Sequence, residues 1–145
     1  MARKELGLYI DRTYKIVRQD LINRFKENQI DLTPEQWVLV SRLHKEGNLF
    51  QTDLASYSFR DKPTVSRIVD LLVKKNIVTR TQDRSDGRKY LISLTQKGEA
   101  LVGTAIPIVE ASREQGWTNL SMEEYDALVQ TLDKIFSNYT TDPND

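Results

Sequence analysis

The sequence predicts a mainly α chain that carries a small β wing. Three observations carry that prediction. Apolar residues recur at helical spacing through most of the 145 residues, and several of these stripes open on a side chain able to cap a helix. The helical period breaks at residues 77–94, where two short runs rich in β-branched residues flank a polar segment with Asp86-Gly87 near its end. Apolar residues are 39% and charged residues 29%, a balance that suits one domain with helical additions.

The elements follow in order. Leu6, Ile10, Tyr14, Val17, Leu21 and Phe25 form one stripe, with Asp11, Arg12, Lys15, Arg18, Asp20 and Arg24 on the other face. Nearly heptad spacing over that length suits packing against another long helix. Thr33-Pro34-Glu35-Gln36 opens a second helix, with Thr33 as N-cap, Pro34 in the first position and Gln36 completing a capping box. Its buried stripe is expected to be Trp37, Val40, Leu43 and His44, and Gly47-Asn48 is its stop. A short third helix is expected over residues 52–57, with Leu54 and Ala55 inward.

Arg60-Asp61-Lys62 lead into a fourth helix, with Pro63 at or near its first position. Val65, Ile68, Val69 and Leu72 keep the spacing of a core-facing stripe, and Lys62, Thr64, Ser66, Arg67 and Asp70 lie on the other side. Asn76, after Lys74-Lys75, reads as a left-handed C-terminal cap. Residues 77–81 and 90–94 read as paired strands joined by a polar hairpin turn from Asp83 to Arg88. Thr95 caps the next helix, with Leu101, Ala105, Ile108 and Ser112 on one side and a kink expected near Gly103 from Pro107. Residues 116–120 read as a loop. Ser121-x-x-Glu124 then opens a last helix carrying Tyr125, Leu128, Leu132, Ile135 and Tyr139. The residues beyond are expected to lack fixed structure.

Composition removes several classes of function. With no cysteine, disulfides, thiolate zinc sites and cysteine nucleophiles are absent from this chain. A single histidine makes a His-rich metal site or a spare triad histidine a poor reading. The turn at residues 83–87 misses the acids and the distant Glu of a calcium loop, and there is no Walker or dinucleotide glycine motif. No enzyme activity, metal or cofactor is therefore expected. No apolar run approaches the roughly 20 residues that span a bilayer, and Met1-Ala2-Arg3-Lys4-Glu5 opens no signal-peptide apolar block, so a cytoplasmic protein without membrane contact is expected.

Twenty-one basic residues balance 21 acidic ones, but the sum hides a gradient. Residues 1–58 hold nine Lys/Arg and eight Asp/Glu, net +1; residues 59–98 hold ten and four, net +6; residues 99–145 hold two and nine, net −7. A basic middle attracts phosphate even on a neutral molecule. It coincides with the short third and longer fourth helices, a helix-turn-helix, and with the hairpin after them, a wing. A recognition helix reaches base edges with its N-terminal turn. Here that turn brings Lys62, Thr64, Ser66 and Arg67. Thr64 and Ser66 can hydrogen-bond to bases or phosphates, and Arg67 can reach a guanine edge. Arg84, Arg88 and Lys89 sit on a hairpin able to enter a minor groove. Duplex DNA is the partner this arrangement predicts.

At these residues the chain resembles the MarR family of winged helix-turn-helix transcription regulators. The resemblance runs from about Leu6 to Asn138. It is sharpest in Asp53-Leu54-Ala55, Thr64-Val65-Ser66-Arg67-Ile68-Val69-Asp70-Leu71-Leu72, Val78-x-Arg80, Asp83-x-x-Asp86-Gly87-Arg88 and Leu94-Thr95-x-x-Gly98. Two positions depart from it: Asn76 stands where many relatives have Gly, and Gly87 where some have a second wing arginine, which leaves Arg84 to take over part of its work. The resemblance implies a homodimer. Residues 1–32 would be an N-terminal dimerisation helix, 33–98 the winged DNA-binding domain, 99–139 the C-terminal dimerisation helices and 140–145 a disordered tail. It implies a repressor on a pseudo-palindromic operator, released by a small aromatic or anionic effector. Tyr9, Tyr14, Trp37 and His44 are the candidate pocket residues.

Blander readings stand beside these. Thr64 and Ser66 are common near helix starts for capping alone. Asp83, Asp86 and Gly87 are read as wing structure, and Arg88 as pairing with one of the acids while facing phosphate. Trp37 reads as core before pocket, and His44 as a satisfied half-buried histidine before a ligand contact. A winged-helix protein-interaction module without DNA binding is the alternative function.

Overall fold

The computed structural model describes residues 5–140. Its elements are α1 (Leu6–Glu27), α2 (Pro34–Glu46), β1 (Leu49–Phe50), α3 (Gln51–Ser58), α4 (Lys62–Lys74), β2 (Val78–Gln82), β3 (Tyr90–Leu94), α5 (Gln96–Gly116) and α6 (Met122–Thr140). The described residues form two compact units, one ending at Ser112 and the other beginning at Arg113. Thr140 closes α6; the rest of the expected tail lies outside the described residues.

The helices begin on their caps. Thr33 Oγ1 accepts from the Gln36 N–H and the Gln36 side chain accepts from the Thr33 N–H, both at 3.1 Å. Asp61 Oδ1 accepts from the Thr64 N–H at 2.8 Å, and Thr95 Oγ1 from the Gly98 N–H at 3.0 Å. Ser121 and Glu124 bond reciprocally at 2.7 and 3.1 Å. Each cap answers a backbone donor that the first helical turn leaves unpaired. At the other ends, Gly47 (φ +83°) closes α2 and Asn76 (φ +59°) turns the chain out of α4 into β2. Phe59 (φ +55°) makes the α3–α4 turn, a left-handed conformation that costs an L side chain free energy.

The strands form one antiparallel sheet in the order β1-β3-β2, with Val78 opposite Leu94, Arg80 opposite Ile92 and Leu49 opposite Ile92 on the far side. β1 is two residues long, too short to show an alternating pattern, and the sequence reading misses it. β2 runs one residue later than expected at both ends, because Ile77 is used otherwise. Its side chain is buried and its carbonyl accepts from the Thr95 N–H at 3.0 Å and from Thr95 Oγ1 at 3.1 Å. Thr95 Oγ1 also donates to the Asn76 carbonyl at 2.7 Å, and Lys97 Nζ to the Lys75 carbonyl at 2.8 Å. The end of α4 and the start of α5 are thereby knotted together.

The core of the first unit gathers Phe25, Leu39, Val40, Leu54, Val65, Val69, Leu72 and Ile92, all nearly or fully buried. Two stripes differ from expectation. On α2, Leu39 is buried and His44 is exposed. His44 shares the face of Trp37, but its ring lies at the surface beside Glu99, while Leu43 before it stays in the core. On α5 the buried residues are Gly98, Val102, Ala105 and Val109, while Leu101 and Ile108 are only half-buried. Gly98 decides this rotation: a Cβ there would fall on the Ile77 carbonyl, so the helix presses its bare backbone against that strand end. α5 runs unbroken through Pro107.

α1 is buried only at Phe25, with Leu21 packed alongside; Leu6, Ile10, Tyr14 and Val17 are exposed. In the second unit, Trp117 and Tyr125 meet edge to face at 5.0 Å. No residue of α6 is buried, and Leu128, Leu132 and Phe136 are exposed along it.

Candidate nucleic-acid interface

The N-terminal turn of α4 is prepared by its cap. Asp61 takes the Thr64 N–H on one carboxylate oxygen and the Thr64 hydroxyl on the other, both at 2.8 Å. The Thr64 backbone bond, then its hydroxyl bond, hold the Asp61 carboxyl below its ordinary range. With its proton given to Asp61, Thr64 Oγ1 accepts from Arg67 Nη2 at 3.3 Å. A chain of three side chains thus orders the first turn and presents a guanidinium beside it. Lys62 and Arg67 are exposed; Thr64 and Ser66 are half-buried.

The wing tip is held by its own acids. Asp83 Oδ2 accepts from the Ser85 hydroxyl at 2.7 Å and the Asp86 N–H at 3.0 Å. Asp86 Oδ1 accepts from the Arg88 N–H at 3.0 Å and from Arg88 Nε at 3.2 Å. Gln82 Nε2 donates to the Gly87 carbonyl at 2.6 Å, and a Cβ on Gly87 would crowd that amide. The Ser85 hydroxyl lowers the Asp83 carboxyl and the Arg88 backbone N–H lowers that of Asp86, so both are charged at neutral pH. Arg88 reaches Asp86 with Nε while its side chain is 93% exposed, so it pairs and still faces solvent. Arg84 is exposed and has no ion-pair partner among the described residues. Lys89 Nζ lies 5.5 Å from the centre of the Phe50 ring.

One residue escaped the site prediction. Arg80, in the middle of β2, donates to Gln51 on α3 and to Ser66 and Asp70 on α4. A signal existed: it alternates with buried Val78, so an arginine sits on the inward face of a strand.

The four candidate pocket residues have four different settings. Tyr9 is exposed beneath the Arg12 guanidinium, 4.4 Å away. Tyr14 is exposed beside Arg18 and helps raise its pKa, after Glu35. Trp37 is buried, its ring edge-on to Phe25 at 6.2 Å. His44 Nδ1 lies 2.7 Å from Glu99 Oε2 at the surface. Among the described residues no cluster of His, Cys, Asp and Glu could hold a metal, and no helix is long and apolar enough to cross a membrane.

A helix-turn-helix of α3 and α4, followed by an antiparallel hairpin that returns to pair with β1, defines a winged helix-turn-helix protein. The model of the MarR family, a class of DNA-binding transcription regulators, matches residues 32–90 of this chain. Solved structures extend the likeness to nearly the whole chain. MepR of S. aureus, in a complex with DNA, is 27% identical, covers 92% of this chain and 97% of its own, and superposes with a TM-score of 0.84. A probable transcriptional regulator from Pseudomonas aeruginosa is 26% identical over 93% of this chain and 99% of its own, TM-score 0.77. BpsR of Bordetella bronchiseptica, whose DNA binding is regulated by 6-hydroxynicotinic acid, shares the fold at 24% identity, 98% of both chains and a TM-score of 0.83.

Proposed function

We propose that this chain is a sequence-specific DNA-binding regulator that acts as a homodimer, working in the cytoplasm. The observation that carries this reading is the pairing, within one compact unit, of two exposed cationic ends: Lys62 and Arg67 on the first turn of α4, and Arg84 and Arg88 on the wing. The first would enter the major groove with Thr64 and Ser66, and the second, with Lys89, would follow the phosphates into the minor groove. Asp83, Asp86 and Gly87 shape the wing.

Residues 33–98 would form the DNA-binding domain, with 1–32 and 99–139 supplying the dimer. The exposed apolar rows on α1 and on α6 support that division, since each row is unburied in the single chain. A two-fold dimer reads a pseudo-palindrome with half-sites about 34–36 Å apart. Within this reading the protein represses, and a small aromatic or anionic molecule releases it. The regulation of BpsR by 6-hydroxynicotinic acid supports that last step. Tyr9, Tyr14, Trp37 and His44 remain its candidate contacts.

The test is binding to duplexes selected from a random pool, titrated with salt. Affinity should fall steeply as salt rises, because cations are released from neutralised phosphates. A chain that selects no duplex even at low salt is a protein-interaction module instead.

A further inference from the structure

Arg80 joins the wing to both helices of the helix-turn-helix. Its place in β2, opposite Ile92, ties its backbone to the sheet. From there Nε donates to Gln51 Oε1 at 3.1 Å, on the first residue of α3. Nη2 donates to the Ser66 carbonyl at 3.1 Å, and Nη1 to Asp70 Oδ1 at 2.6 Å, both on α4. The Tyr90 ring of β3 lies 5.9 Å from the guanidinium carbon. All three nitrogens of one planar fork are thus engaged by acceptors from two helices. The Arg80 side chain is 23% exposed, against 93% for Arg88.

That difference separates two kinds of arginine in one basic region. Arg84 and Arg88 are turned to solvent; Arg80 is turned to protein. A guanidinium with three of its five N–H donors on fixed acceptors cannot move to a phosphate without leaving them, but it can fix the planes it touches. Two of its acceptors lie on α4, on either side of Arg67 in sequence. Hence the angle between the reading turn of α4 and the wing is set at Arg80.

Resting on the DNA-binding reading above, we infer that Arg80 is a positioning residue for DNA recognition. With Asp70, it holds α4 and the wing at the separation needed to enter adjacent grooves together, and it does not itself bind DNA. Lysine, a point charge without the fork, would not serve in its place.

Two substitutions test this in the full-length chain: Arg80→Met, which keeps the stem, and Asp70→Asn, which keeps the shape of an acceptor that is half exposed. Each is measured on the duplex that the wild type selects and on random-sequence duplex at low salt, with thermal melting alongside. A positioning role predicts that both variants lose about tenfold or more on the selected duplex and about twofold or less on random duplex. The salt slope should not change. Arg80→Lys should fail to rescue. Asp70→Asn is the sharper arm because the two accounts differ in sign. If Arg80 were a phosphate contact restrained by Asp70, removing that negative charge would tighten binding to every duplex, and Arg80→Met would lower the salt slope by about one; that pair of results overturns the inference. So does a wild type that selects a duplex while both variants match it. If Arg80→Met does not fold, Asp70→Asn decides alone. A wild type that selects no duplex removes the underlying reading and this inference with it.

Discussion

Arg18 and Glu35 meet through two parallel hydrogen bonds, Nε to Oε1 at 2.7 Å and Nη2 to Oε2 at 3.0 Å. The pair joins the middle of α1 to the first turn of α2. The Arg18 bond, more than any other contact, holds the Glu35 carboxyl below its usual range against the cost of its partial burial. A carboxyl lowered in the folded state contributes fully at neutral pH. The contribution starts to fade below the ordinary carboxylate range, about 4.3, and is gone once pH has fallen through the folded-state value. A double-mutant cycle of Arg18→Met and Glu35→Gln should show about 1 kcal/mol of coupling in urea denaturation at pH 7, and less near pH 2. Equal coupling at both pH values would contradict the assignment.

Gly98 and Gly103 lie on the same helix and should answer the same substitution in opposite directions. Gly98→Ala drives a methyl group into the Ile77 carbonyl and should cost about 2–3 kcal/mol. Gly103→Ala meets nothing within 4 Å, and the gain in helix propensity should stabilise the chain by about 0.5–1 kcal/mol. Chemical denaturation of the two variants reads both signs.

Asn76 holds a left-handed conformation at the exit from α4. Asn76→Ala should destabilise by about 1 kcal/mol, because alanine has no local hydrogen bond to offset its Cβ clash. Asn76→Gly should be close to neutral. Melting temperatures of the two variants would show whether backbone conformation, rather than the amide group, is what the position requires.

Arg67 and Arg84 should separate base reading from charge. Arg67→Ala is expected to cost about 1–3 kcal/mol on the selected duplex and to relax preference at one base pair. Arg84→Ala is expected to weaken binding to all sequences alike and to reduce the salt slope by about one. Competition binding across single-base variants of the duplex distinguishes the two patterns.

Much of the fold was legible because it rests on local rules. The capping boxes at Thr33 and Ser121, the cap at Thr95 and the left-handed Asn76 depend on residues three or four apart, and the sequence displays them directly. What it hid depends on contacts distant in sequence. His44 keeps the helical phase of Trp37, yet where the core stops is decided by other elements. The rotation of α5 follows from one close approach, Gly98 on Ile77, that no stripe of side chains announces. At the candidate interface, the exposed cations Lys62, Arg67, Arg84 and Arg88 stand out by charge and by their place at a helix start or on the hairpin turn. Arg80 could not be assigned in that way, since its partners Gln51, Ser66 and Asp70 come from two other elements. The four proposed effector contacts are aromatic or ionisable residues on α1 and α2; Trp37 lies in the core and His44 sits within hydrogen-bond distance of Glu99.

The knot at the end of α4 has a mechanical consequence. Thr95 and Lys97 grip the carbonyls of Lys75, Asn76 and Ile77, so the rear of α4 and the head of α5 share one anchor point. α4 is 13 residues long, about 20 Å from that anchor to its N-terminal turn. A tilt of roughly 5° delivered along α5 would swing that end by about 1.7 Å, well over half a hydrogen-bond length, by leverage alone.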